Sequence, residues 1–219
     1  MSSLLSVVVD TTDTEAAFNR ALAAEERGDA AEAERWYRQA ADGGHSGGEL
    51  NLGRLLEDRD KEEAMSLYLR AWDKGDDRAA FNIGRLYDND GDLATAETWY
   101  GRAADKGNDG GAYNLGHVRL DLGNVPGALE AWRRAADLDH PKAAHSIGFI
   151  LARDGDEDAA VEWFEHAARQ HEDAKSARWL GRYYEARGRT DEATEWFDMA
   201  EIFSAPGMNF SRMSWRPNG

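Results

Sequence analysis

Six histidines are the residues best placed to do chemistry in this sequence: His45, His117, His140, His145, His166 and His171. His140/His145 and His166/His171 are each five residues apart, which does not set two imidazoles on one helical face as an i,i+4 pair would. No His-Glu-x-x-His is present. His117 and His145, with Asp121 near, are the one combination that could meet across neighbouring segments, and surface histidines are the plainer expectation. The 42 acids make carboxylate pairs uninformative. Asp109-Gly110-Gly111 precedes a helical pattern without a strand or a phosphate-loop lysine, and no serine sits in a nucleophile elbow. With no cysteine, thiol catalysis, disulfides and cysteine-ligated metals are excluded. The expectation is a non-enzyme with no cofactor and no metal. What recurs instead is a carboxamide: Asn51, Asn82 and Asn114 each stand two residues before a glycine.

The elements that position these asparagines repeat. Gly53, Gly84, Gly116, Gly148 and Gly181 are 31, 32, 32 and 33 residues apart, and Ala21 stands where a first glycine belongs. Twelve residues after each comes an alanine, four later an aromatic, and three later another alanine, as in Ala96, Tyr100, Ala103 and Ala128, Trp132, Ala135. Only the second unit slips, with Ala64 eleven residues after Gly53. Apolar and small residues three and four apart describe helices. Turn signals such as Arg27-Gly28-Asp29 and Leu122-Gly123-Asn124 divide each unit into two antiparallel helices, A and B. Neither helix can bury its apolar face alone, so the units must stack. The glycine implies a close approach of B to A, and the B-helix aromatics are expected to be core.

These residues resemble the tetratricopeptide and Sel-one-like repeat superfamily from about Thr14 to Ser204. The glycine-to-alanine interval of twelve is similar to the tetratricopeptide form. The ends Ala40-Ala41-Asp42-Gly43-Gly44 and Ala103-Ala104-Asp105-Lys106-Gly107 look Sel-one-like. The resemblance implies an all-α, right-handed superhelical solenoid of about six antiparallel helix-turn-helix repeats. The units expected are 14–44, 45–75, 76–107, 108–139, 140–172 and 173–204, after a flexible segment 1–13 and before a tail 205–219.

The resemblance also implies that A helices line a concave wall. Asn51, Asn82 and Asn114 then face inward with Arg54, Arg85, His117, Tyr113, Arg178 and Arg182. A carboxamide offers two donors and an acceptor, which suits the backbone of an extended peptide, and arginines suit carboxylates. The same asparagines could instead bond across A helices and stabilise the stack. Glu25, Glu57, Asp88 and Asp121 on the A helices make the wall mixed in charge.

The implied function is a non-catalytic protein–protein interaction adaptor that holds an extended segment, with acidic partners favoured. The alternative is a scaffold that self-assembles through its tail or end faces, as a homo-oligomer. A net charge of −16 argues against nucleic acid, and no apolar run approaches a membrane span. Leu4 to Val9 lacks a basic flank, so a secretory leader is not expected and a cytoplasmic location is. Five Lys beside 21 Arg suggest a bacterial source. The segment Pro206–Arg216 is apolar and basic and is read as a cap on the last hairpin, a docking motif for another protein or a segment that folds into a groove.

Overall fold

Most of the helices begin where a short polar side chain satisfies one of the first free amides. Asp29, Asp60, Asp92, Asn124 and Asp156 each accept a bond from the amide three residues on, at 2.9–3.3 Å. Each A helix but one ends at a glycine with positive φ, at Gly28, Gly91, Gly123, Gly155 and Gly188. The second hairpin has no such glycine. There Arg59 and Asp60 both bond back to the Leu56 carbonyl, a turn one residue shorter, which accounts for the slipped spacing after Gly53. At the sixth hairpin Arg189 occupies the capping position without a capping bond.

In the computed structural model, which describes residues 11–205, twelve helices pair as six hairpins. They are α1 (Thr11–Glu26) with α2 (Ala30–Asp42), α3 (Ser46–Leu56) with α4 (Lys61–Asp73), and α5 (Arg78–Asn89) with α6 (Leu93–Asp105). Then follow α7 (Asp109–Asp121) with α8 (Val125–Asp137), α9 (Ala143–Arg153) with α10 (Glu157–His171), and α11 (Ala174–Ala186) with α12 (Thr190–Ser204). The described residues contain no strand. Residues 11–13, expected in a flexible leader, form the first turn of α1. The segment Pro206–Arg216 lies outside the described residues.

The chain divides into two compact units, residues 1–138 with four hairpins and 139–219 with two. Between hairpins of the first unit the chain turns through Gly44, Gly75 and Gly107, all at positive φ. Asp139 and Glu172 take the same conformation without being glycine, at φ 64 and 52.

Inside each hairpin the recurring glycine meets a ring. A Cβ on Gly53 would lie 2.7 Å from Tyr68, and one on Gly84 would lie 2.8 Å from Tyr100. Gly116 faces Trp132, Gly148 faces Phe164 and Gly181 faces Phe197 in the same way. The expected close approach is therefore found, but the surface opposite the glycine is aromatic. The B-helix alanines serve the next interface: Gly48 sits against Ala40, and Gly111 against Ala103. Tyr37, Tyr68, Tyr100, Trp132 and Phe164 are all buried.

Gly84→Ala should destabilise by about 1–3 kcal/mol, because the methyl has no room beside Tyr100. Gly101→Ala, in α6 with open space around it, should stabilise by about 0.5–1 kcal/mol. Urea unfolding of the two variants checks the opposite signs.

Candidate functional site

The wall formed by α1, α3, α5 and α7 carries the asparagines, and its floor is set by the B-helix rings behind it. Each of the first three hairpins ends its buried ring in a hydroxyl. Tyr37 donates to Glu25 at 2.6 Å, Tyr68 to Glu57 at 3.0 Å and Tyr100 to Asp88 at 3.2 Å. Glu25, Glu57 and Asp88 each stand four residues after the repeat position of Ala21, Gly53 and Gly84. One turn of helix thus brings a carboxylate to the same side as the ring.

The next hairpin closes each pair. Asn51 donates its side-chain amide to the Tyr37 hydroxyl at 3.1 Å, and Arg54 bonds Glu25. Arg85 grips Glu57 with two bonds at 2.6 and 2.5 Å, and its guanidinium also reaches Asn82 Oδ1 at 3.5 Å. Asn114 lies close enough to the Tyr100 hydroxyl to oppose the rise of its phenol. The asparagines are half-buried, so bonding across hairpins and an open edge coexist. Arg54 is exposed and Arg85 half-buried, but both are already answered by carboxylates.

The fourth hairpin differs. Its ring is Trp132, whose indole N–H donates to the Tyr113 carbonyl at 3.0 Å. His117 meets Tyr113 and Trp132 edge-on, at 4.7 and 5.1 Å between ring centres. Tyr113 and His117 thus form an aromatic step on α7.

In the second unit, Arg178 donates to the Ser204 hydroxyl at 2.6 Å. Arg182 is exposed and has no hydrogen-bond or ion-pair partner among the described residues. Trp179 stacks on Tyr183 at 5.4 Å and lies 4.4 Å from Phe164. Phe149 occupies the register of Arg54 and Arg85 and is 57% exposed. The second unit therefore presents aromatic and cationic groups where the first presents carboxamides.

His145, Asp173 and Ser176 converge, with His145 Nδ1 at 2.9 Å from both Asp173 and Ser176 Oγ. The arrangement is a helix cap. Asp173 accepts from the Ser176 amide and hydroxyl at the start of α11, and the serine is fully buried, so it presents no nucleophile. Burial raises the Asp173 carboxyl, but the bonds from His145 and Ser176 outweigh it and hold the group well below the usual carboxylate range. Among the described residues no three potential ligands converge as a metal site, and no helix is long and apolar enough to cross a membrane.

The Tyr–carboxylate partnership was hidden in the sequence by the abundance of acids. The signal was joint variation: Glu25, Glu57 and Asp88 go with tyrosine, whereas Leu120 and Ala152 go with Trp132 and Phe164. Glu185, opposite Phe197, breaks the rule.

Burial first, then the Glu25 carboxylate, pushes the Tyr37 phenol up to about 12. Burial and their acids raise Tyr68 and Tyr100 as well, and burial with Glu165 raises Tyr184. A phenol raised on folding gives stability that is complete below the unfolded value near 10 and is lost as pH climbs through the folded value. Phenolate absorbance should show these four of the seven tyrosines titrating late, with stability falling from about pH 10 to 12. Tyr37→Phe should reduce that fall.

Family sequence profiles described as tetratricopeptide repeat match residues 12–47, 113–175 and 164–208, and a second such profile matches 77–105. No curated protein sequence matches. The Pseudomonas aeruginosa pilF protein superposes with a TM-score of 0.70 at 16% identity, covering 90% of this chain and 94% of that one. A Sel1 repeat protein from Oxalobacter formigenes gives 0.67 at 26% identity, covering 90% of each. YrrB, a TPR protein with an unusual peptide-binding site, gives 0.55 at 23% identity over 77% of this chain and 92% of its own. The repeated glycine-on-ring hairpin and these profile matches over more than half of the sequence establish that the chain belongs to the tetratricopeptide repeat family.

Proposed function

We propose that the protein is a non-catalytic adaptor that holds an extended protein segment against the A-helix wall of its first unit. One observation carries this reading: the carboxamides are fixed from behind and half-open in front. Asn51 uses one amide hydrogen on Tyr37, which leaves its second hydrogen and its oxygen for a guest backbone. Among the described residues Asn82 hydrogen-bonds only through its oxygen, to Arg85, which leaves both amide hydrogens. Asn114, near the Tyr100 hydroxyl, continues the series, and Tyr113 and His117 offer an aromatic step at its end. Groups oriented before a partner arrives lose less entropy on binding. YrrB supports the reading to the extent that a peptide-binding site exists on this fold.

Arg54 and Arg85 support backbone binding indirectly, by holding Glu25 and Glu57 away from the guest. In the second unit, taken by itself, Arg178 and Arg182 of α11 have no carboxylate partner among the described residues and suit a carboxylate bound there.

Peptides selected from a random 12-residue display library on the intact chain test the proposal by titration calorimetry. Asn82→Ala should weaken the selected peptides about five-fold, as loss of one hydrogen bond near 1 kcal/mol, and leave the thermal midpoint unchanged. Adding Asn114→Ala should weaken them further. Affinities indifferent to both substitutions would place the guest elsewhere. Arg85→Ala is a poor probe, since it strands the nearly buried Glu57.

A further inference from the structure

The buried ring of each B helix is followed by two positions that are at least partly exposed, and in the first unit these are rich in arginine. They are Arg38-Gln39 on α2, Leu69-Arg70 on α4, Gly101-Arg102 on α6 and Arg133-Arg134 on α8. After Phe164 and Phe197 in the second unit the same positions hold Glu165-His166 and Asp198-Met199. A chain of net charge −16 thus gathers five arginines in a band across the B helices of its first unit.

The fold does not use up this charge. Arg38 answers Glu34 and Glu63, and Arg134 answers Asp105. Arg70 bonds Glu49, but Lys74 holds the same carboxylate, so the trio stays positive. Arg102 and Arg133 are exposed and have no carboxylate partner among the described residues. Arg102 lies over the Trp99 ring at 4.3 Å, which orients the guanidinium and leaves its N–H donors for a carboxylate. Asp73, exposed at the end of α4, is the nearest opposing charge along that helix.

An apolar spot interrupts the band. Leu69 is 39% exposed where other B helices carry Arg38, Arg133 or Glu165. Trp72 stands where Ala41, Ala104 and Ala168 are buried, so the repeat packs without an indole there. The two lie three residues apart on one face of α4. Trp72 reaches the next hairpin and meets Trp99 edge-on at 5.5 Å. Beside Trp99, Gly101 has open space where a Cβ would be, a mid-helix glycine that no packing within the chain requires. Leu69, Trp72, Trp99 and Arg102 therefore run without a break across two hairpins. Arg102 covers one face of Trp99 and Trp72 stands nearly perpendicular to that ring, so the pair is no platform for stacked bases. Aliphatic contact, room for a backbone and unanswered guanidinium groups suit a protein segment better.

We propose that this B-helix band is a docking surface, separate from the A-helix wall, for an acidic segment of another protein that carries an apolar anchor. The anchor packs against Leu69 and Trp72, the backbone passes Gly101, and carboxylates take Arg102 and Arg133. With a guest on the wall as well, one chain bridges two proteins.

The probe is a fluorescein-labelled peptide of twelve residues, glutamate and serine with two central leucines, titrated with the full chain and followed by anisotropy. It should bind, and its counterpart with glutamine for glutamate should bind about ten-fold more weakly. Arg102→Gln with Arg133→Gln should also cost about ten-fold, as for two exposed ion pairs, and leave the thermal midpoint unchanged. Leu69→Gln, at an exposed position, should cost about five-fold, and Trp72→Ala at least as much. Asn82→Ala, on the wall, should change nothing. No binding of the glutamate peptide overturns the proposal, as do affinities indifferent to the Arg102, Arg133 and Leu69 substitutions. A loss caused by Asn82→Ala alone overturns it by placing the peptide on the wall. Tighter binding of a ten-nucleotide oligouridine than of the peptide overturns it in favour of nucleic acid.

Discussion

A helix backbone laid directly on an aromatic ring is the constraint from which the rest of this structure follows. Glycine in mid-helix costs roughly 0.5–1 kcal/mol against alanine. At Gly53 and Gly84 the absent methyl lets Tyr68 and Tyr100 lie close against α3 and α5. A ring held that closely has one orientation, and its polar tip has one position. The tip arrives at the edge of the A-helix wall, where a carboxylate one turn beyond the glycine receives it. From there the next hairpin can be reached, and Arg85 or Asn51 does so. Packing within a hairpin thereby fixes polar groups between hairpins.

Changing the ring changes the wall. Tyrosine requires an acceptor when buried, so the first three hairpins carry an acid and the following hairpin answers it with an asparagine or an arginine. Tryptophan satisfies its N–H on the Tyr113 carbonyl, and phenylalanine needs nothing. Where these rings stand, the same wall positions are free to be His117, Phe149 or Trp179. One repeat therefore builds a carboxamide surface in the first unit and an aromatic one in the second.

Much of this was legible beforehand. The fixed interval from glycine to alanine to aromatic gave twelve helices their order, and the Gly-Asp and Gly-Asn dipeptides gave most of their caps. The shorter turn at Arg59-Asp60 showed as a one-residue slip. The state of the asparagines was not legible, because a carboxamide that faces a guest and one that braces a hairpin occupy the same helical position. Deciding between them needs the distance from Asn51 to Tyr37, which crosses from one hairpin to another. The arginines misled for the same reason. Arg54 and Arg85 read as free cations, while Glu25 and Glu57, 29 and 28 residues earlier, were lost among 42 acids. The division into two units left no mark in the repeat spacing, beyond Asp139 where earlier turns have glycine.

The central claim is that the wall's carboxamides are braced on one side and free on the other. Side-chain amide proton exchange of Asn51, measured by NMR, addresses it most directly. One of the two hydrogens should exchange slowly, held by the Tyr37 hydroxyl, and the other quickly, with Tyr37→Phe making both fast. Two slow hydrogens would mean a carboxamide sealed between hairpins. Two fast ones in the unaltered chain would mean that the tyrosine does not hold it, and either result would contradict the account.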